Sequence, residues 1–209
     1  VANSTQECLL DAAEQLFVEN GFAATSLRSI AAAADANLAA THYHFGSKEG
    51  LFEAVIHRRV TPINEARLAG LDELERTSGY QVEDVLEAFL APLMSADAAH
   101  LPKLVGRIYS EPHAVSRPIL EREFGEIVSR FVAAISRVLP KVPQQELLWR
   151  FHFLVGGMLQ TLSVEPPIGS EEVTTSADKF AQLLHYASAG FRAPAMAVSH
   201  DKNRTRGKV

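Results

Sequence analysis

The chain reads as all-α, with a small three-helix unit at its start and a larger helical unit behind it. Three observations lead there. Apolar residues recur three and four positions apart in most segments, the spacing that gathers them into one helical stripe. No segment shows the period-two alternation of a half-buried strand. The gaps between stripes hold Gly, Pro, Asn, Asp and Ser, residues whose backbone preferences start or stop helices. At 209 residues, 47% hydrophobic and 22% charged, the chain has the length and composition to bury a core rather than stay disordered.

The first stripe runs from Thr5 to Asn20 through Leu9, Leu10, Ala13, Leu16 and Phe17. Asn20-Gly21 ends it, because both residues tolerate the left-handed geometry of a helix C-terminus. Thr25 and Ser26 both qualify as N-cap of a short second helix that turns Leu27, Ile30, Ala31 and Ala34 inward. Asp35-Ala36-Asn37 interrupts the pattern. A third helix then spans Leu38 to His44 and stops at Phe45-Gly46-Ser47. Ser47, with Glu49 and Gly50, opens a long helix whose stripe is Leu51, Phe52, Val55, Ile56 and Val60. Pro62 is expected to bend or interrupt it.

Further helices are expected at about 82–95, 101–110, 115–139, 144–164 and 172–191. In the third of these, Leu120, Phe124, Ile127, Val128, Phe131, Ile135 and Val138 share a broad face opposite Arg122, Glu123, Glu126 and Arg130. The stretch 193–209 carries Lys202, Arg204, Arg206 and Lys208 and few large apolar residues, and reads as a disordered basic tail. The expected organisation is therefore 1–47, 48–192 and a tail over 193–209.

Composition removes several function classes. The single cysteine, Cys8, excludes an intrachain disulfide and a cysteine-based zinc site. No stretch has the form of a secretory signal, and the longest apolar run, Phe153 to Leu159, is too short to span a bilayer. A soluble, cytoplasmic protein is expected. Net charge, at −5, has the wrong sign for a nucleic-acid binder. Locally the balance is no better: Glu7, Asp11, Glu14, Glu19, Asp35 and Glu49 face only Arg28 and Lys48 in the first fifty residues. Arrangement must therefore carry any case for DNA.

Two short helices joined by a three-residue turn, braced by a longer helix before them, form the plan of a helix-turn-helix. The alanines from Ala31 to Ala34 permit close helix crossing. Periodicity alone fits an ordinary pair of bundle helices equally well. A resemblance decides between them. The run Leu10-Asp11-Ala12-Ala13-Glu14-Gln15-Leu16-Phe17, then Asn20-Gly21-Phe22 with Thr25-Ser26, Ile30-Ala31, and Tyr43-His44-Phe45-Gly46-Ser47-Lys48-Glu49-Gly50-Leu51-Phe52, resembles the DNA-binding domain of the TetR family. Pro140 to Phe153 is similar to a fatty-acid-responsive subgroup of that family.

The resemblance implies a homodimeric regulator of transcription, expected to be a repressor released from a pseudo-palindromic operator by a hydrophobic, acyl-type effector. Thr25 or Ser26 would leave helix N–H groups facing a phosphate, with Arg28 pairing with the backbone beside them. The recognition helix would read bases through Asn37, Leu38, Ala39 and Thr41, with His42 reaching outward. Tyr43, His44 and Lys48 would contact phosphates, which position without reading sequence. Three positions depart from the family pattern. Asp35 replaces the glycine that commonly opens the turn, His42 replaces a tyrosine, and Thr41 replaces the apolar residue before it.

For the second unit the resemblance implies dimerisation and a ligand pocket. The segments 144–164 and 172–191 suit a two-fold four-helix interface: Leu147, Leu148, Phe151, Leu154, Val155, Met158, Leu159 and Leu162 cover more than one face, Gly156-Gly157 allows close approach, and Phe180, Leu183, Leu184, Ala187 and Phe191 supply a companion helix. An ordinary core pair within one subunit fits them too. Arg107, Tyr109, His113, Trp149 and His152 stand in or beside apolar runs and are candidates to orient a ligand.

Other classes find less support. His42-x-His44 puts two imidazoles in different directions on a helix, with no third ligand nearby, so no metal is called for. Glu121 and Glu123 read as a solvated face. There is no nucleophile elbow, phosphate loop or zinc-protease signature, so neither catalysis nor a cofactor is expected. The alternative is a helical adaptor that binds protein partners and has no sequence-specific affinity for DNA.

Overall fold

A computed structural model describes residues 4–94, 101–163 and 175–196. All regular structure among them is helical, in the order α1 (Thr5–Ala24), α2 (Leu27–Ala33), α3 (Leu38–Phe45), α4 (Lys48–Arg76), α5 (Val82–Leu90), a single 3-10 turn (Ala91–Met94), α6 (Leu101–Ser110), α7 (His113–Val138), α8 (Gln144–Ser163) and α9 (Ser176–Arg192). The expected basic tail lies almost wholly outside the described residues. No helix among the described residues is long and apolar enough to cross a membrane.

Boundaries follow local chemistry. Ser4 caps α1 by accepting from the Glu7 amide. Asn20-Gly21 breaks α1 as expected, with Gly21 at φ 80, but one more turn follows before the chain leaves at Thr25. Asp35 opens the α2–α3 turn at φ 49, the left-handed geometry that glycine would adopt more easily. Pro62 does not end α4. It sits on the exposed side, and the helix continues through it to Arg76 because Val60, Ile63, Arg67 and Leu71 stay buried on either side of it. Of the alanines from Ala31 to Ala34, only Ala31 is buried; Ala32 and Ala33 are exposed and the C-cap Ala34 is half-buried.

α4 is the axis of the molecule. It packs on α1 and α3 at one end and on α5, α6 and α7 further along. At its first end Phe17, Phe22 and Phe52 form an aromatic trio, with Phe52 4.9 Å from Phe17 and 5.1 Å from Phe22 between ring centres. Beside it Glu14 accepts from Arg58 and Arg59, each at 2.8 Å, and Asp11 accepts from Arg58 at 2.7 Å. Two of the acids on α1 are thus neutralised by α4. Further along, Phe89 of α5 stands 5.3 Å from Phe131 of α7 and 4.9 Å from Phe151 of α8. Arg130 of α7 reaches Asp72 and Glu75 of α4 at 2.6 and 3.1 Å.

The α3–α4 corner is tight. Ser47 caps α4 by accepting from the Gly50 amide at 3.1 Å, and any Cβ at Gly50 would collide with the Phe45 carbonyl oxygen. Gly50→Ala must push α3 away from α4. We expect it to lower the unfolding free energy by about 1–3 kcal/mol, read from urea denaturation. An unchanged midpoint would show that the corner is slack.

Candidate nucleic-acid interface

α3 presents a mixed face. Its N-cap is Asn37, whose Oδ1 accepts from the Ala39 amide at 2.9 Å. That oxygen is committed to the helix, leaving only the Nδ2 donors, so the paired donor–acceptor contact expected of Asn37 is not preformed. Ala39, His42 and Tyr43 fall on one exposed side at helical spacing. Tyr43 is 86% exposed, and its ring meets His44 edge-on at 5.2 Å. The His42 Nδ1–H donates to the Gly46 carbonyl at 3.0 Å, which turns Nε2 outward as an acceptor in the neutral ring. Leu38 is half-buried.

Thr41 corrects the sequence expectation. It is 1% exposed and its hydroxyl has no hydrogen-bond partner among the described residues. It points into the domain and cannot reach a base. The apolar residue usual there in the TetR family was the signal: Thr41 occupies a core position.

Thr25 is likewise turned inward. Its hydroxyl donates to the Gly21 carbonyl at 2.8 Å, with the Leu16 carbonyl at 3.1 Å, so it ties down the end of α1. The N-cap of α2 is Ser26, which exchanges hydrogen bonds with Ser29 in a capping box. Arg28, on the first turn of α2, is exposed and available to a phosphate.

Lys48 is the third correction. Its Nζ donates to the Phe22 and Thr25 carbonyls at 2.9 and 3.0 Å and lies 4.2 Å over the Phe22 ring. No basic residue occupies the last turn of α1, and Lys48 supplies the charge that the carbonyl end of a helix favours. Its work is to fasten α4 to α1 rather than to meet phosphate.

The candidate ligand residues scatter. A narrow cavity that opens to the surface lies among α4 to α8, with Arg67, Phe89, Leu101, Val105, Phe124 and Met158 among its lining. Tyr109 lines it, and also an outer hollow that holds His152. Arg107 instead donates to the Val18 carbonyl of α1 at 3.2 Å. His113 is exposed at the start of α7. Trp149 is 55% exposed on the outer side of α8, against His152 and Phe153.

Sequence reasoning missed Arg67, which is 2% exposed on the cavity wall. Burial pushes its guanidinium down to about 9, so it stays charged at neutral pH. The signal was present: Arg67 occupies a stripe position between Ile63 and Leu71.

Three helices ending in an exposed short one, joined by a shared helix to a hollow helical domain, define a helix-turn-helix protein with a helical second domain. Comparison with known proteins agrees. Residues 9–55 match the model of bacterial regulatory proteins of the tetR family, and residues 87–190 match a tetracyclin repressor-like C-terminal domain. The probable HTH-type transcriptional regulator YttP of Bacillus subtilis is 42% identical over 53 residues, which is 25% of this chain and 26% of that protein. The chain therefore spans about a quarter of the length of the curated relative it matches. Salmonella enterica GusR superposes with a TM-score of 0.61 at 22% identity, covering 90% of this chain and 96% of that one. AmtR of Mycobacterium smegmatis gives 0.64 at 20% identity, covering 93% and 89%. These structural likenesses show the fold. The chain belongs to the TetR family of DNA-binding regulators.

Two substitutions test the interface. Thr41→Val removes a buried hydroxyl without a partner and should stabilise by about 1 kcal/mol while leaving preference among DNA sequences unchanged; an altered preference would return Thr41 to the groove. Arg28→Ala should weaken binding to all sequences alike and lower the salt slope by about one. A slope equal to the parent's would remove Arg28 from the phosphate contacts.

Proposed function

We propose that the chain is a ligand-responsive repressor that binds a pseudo-palindromic operator as a homodimer and leaves it when a hydrophobic small molecule enters the second domain. The observation that carries this is the junction of the two domains. α6 lines the cavity with Leu101, Val105 and Tyr109 and holds α1 with other residues. Arg107 donates to the Val18 carbonyl, and Glu111 accepts from the Phe22 amide at 3.3 Å. A molecule that displaces α6 therefore pulls on the helix that supports the DNA-reading pair.

Ala39, His42 and Tyr43 with Arg28 form the DNA face in this reading, and Ser26, Asn37, Leu38 and His44 border it. Two such faces about 34–36 Å apart meet successive turns of one side of the duplex. The dimer forms through α8 and α9. Trp149 and Phe153 of α8 and Tyr186 of α9 are 55%, 66% and 77% exposed, a cluster of aromatic surface of the kind that marks an interface. Of the residues expected to make that contact, Leu147, Phe151, Leu154 and Met158 are buried within the subunit, Val155, Leu159 and Leu162 are half-buried, and Leu148 is exposed; Gly157 faces Leu183 of α9 at close range. Trp149 thus passes from the ligand list to the dimer face. Gly156 is open on its outer side.

Selection from a random DNA library by the purified protein tests the reading. A two-fold motif is expected, and hydrophobic ligands should then release it. Binding without any sequence preference would favour the adaptor alternative. Phe153→Glu should yield a monomer in sedimentation and abolish operator binding; a variant that stays dimeric would move the interface elsewhere.

A further inference from the structure

Arg67 lies on the α4 wall of the cavity, 2% exposed, with its guanidinium carbon 4.0 Å from the centre of the Phe89 ring. Its Nε donates to the Phe89 carbonyl at 2.8 Å and Nη1 donates to Asn64 Oδ1 at 3.3 Å. Among the described residues Nη2 has only the Met158 thioether at 3.8 Å, a weak acceptor. A guanidinium has five N–H donors, so part of the Nη edge is left without an oxygen. Arg58 and Arg59 on the same helix each hold a carboxylate, yet no carboxylate among the described residues pairs with Arg67.

A buried cation with no counter-charge costs several kcal/mol. Tying α4 to the last turn of α5 through Nε explains one of its bonds, but a neutral donor would serve there. What a neutral donor would not supply is the charge, and the charge faces the cavity. The rest of the described lining is apolar apart from Tyr109. Of the basic residues expected near a ligand, Arg107 is turned to α1 and His113 is exposed at the start of α7.

We infer that the cavity takes a free monocarboxylate with an alkyl or aryl body, its carboxylate pairing with the Nη edge of Arg67 in place of the Met158 thioether and its body lying against Leu101, Val105, Phe124 and Ile127. The inference rests on reading this cavity as the effector site. It selects the free acid over a coenzyme A thioester. The thioester has no charge at the acyl end, and the described lining holds no second cation for its phosphates.

Isothermal titration of the full-length protein tests it with octanoate and naphthoate, beside the neutral octanol and naphthalenemethanol, and octanoyl-CoA. At least one acid should bind saturably, and its neutral counterpart about 10- to 100-fold more weakly, the worth of a charge-assisted hydrogen bond. Octanoyl-CoA should bind no better than the alcohols. No binding by either acid, an alcohol as tight as its acid, or a tighter thioester overturns the proposal. These comparisons use the unaltered chain and stand whatever any variant does.

Arg67→Met keeps an apolar filling and should fold, since replacing buried charge with packed apolar groups is often neutral or stabilising. It should weaken the acid by the same factor and leave the alcohol unchanged. Equal affinity for the acid in the folded variant also overturns the assignment. Release of the selected operator separates this inference from the wider one. An acid that binds through Arg67 yet leaves DNA bound removes the effector reading alone. A neutral ligand that releases DNA equally from both proteins keeps that reading and removes Arg67.

Discussion

The attachment of α1 to the first half of α4 is the contact on which the rest depends, because α4 belongs to both halves of the molecule. Its hydrophobic part is the Phe17–Phe22–Phe52 trio. Its polar part is a set of charges satisfied at short range: Glu14 between Arg58 and Arg59, and Lys48 on the carbonyls that close α1. Glu14 is only 8% exposed. Losing either arginine would leave a buried carboxylate short of a partner, which costs more than a surface pair is worth. This arrangement also answers the objection raised by net charge. Asp11 and Glu14 do not oppose DNA, since their charge is spent on α4.

From that attachment the coupling of the two domains follows with few parts. α4 carries Lys48 and Gly50 at the α3 corner and Arg67 at the cavity, on one unbroken helix. α6 provides a second route, with cavity-lining apolar residues on one side, Arg107 bonded to α1, and Glu111, just past its end, bonded there too. A ligand that favours one position of either helix biases the angle of α1 to α3 by its differential affinity, and linkage of roughly 1–3 kcal/mol is the usual scale. The bonds from α6 to α1 are hydrogen bonds to main chain, a neutral carbonyl at one and an amide at the other. Each is worth about 1.5–3 kcal/mol at most, as bonds to charged groups are, a scale that a ligand's linkage can match.

Helix order and most boundaries were legible because they depend on neighbours in sequence: caps such as Ser47, breakers such as Gly46, and stripes such as that of α7. Side-chain assignments at the DNA face were less so. Thr25, Thr41 and Lys48 are polar residues in a DNA-binding segment, and their polarity suggests contact with DNA. Their hydroxyls and ammonium are instead turned inward by the crossing of α1, α3 and α4, which sequence spacing does not reveal. The same holds for Trp149, whose apolar neighbours suggested a pocket although its own side of α8 faces outward.

Two residues break an apolar stripe and end fully buried, Thr41 on α3 and Arg67 on α4. Magnitude separates them. A hydroxyl without a partner costs about 1–3 kcal/mol, an amount a fold tolerates by accident, and valine would fill the same space. A buried guanidinium without a counter-ion costs several kcal/mol, a large fraction of the total stability of a domain. Part of that cost is offset by Phe89 and Asn64, but a methionine or leucine at position 67 would incur none of it. Thr41 is therefore adequately explained as a substitution the core absorbs. Arg67 needs something that returns the energy, and the cavity beside it is where an anion would do so.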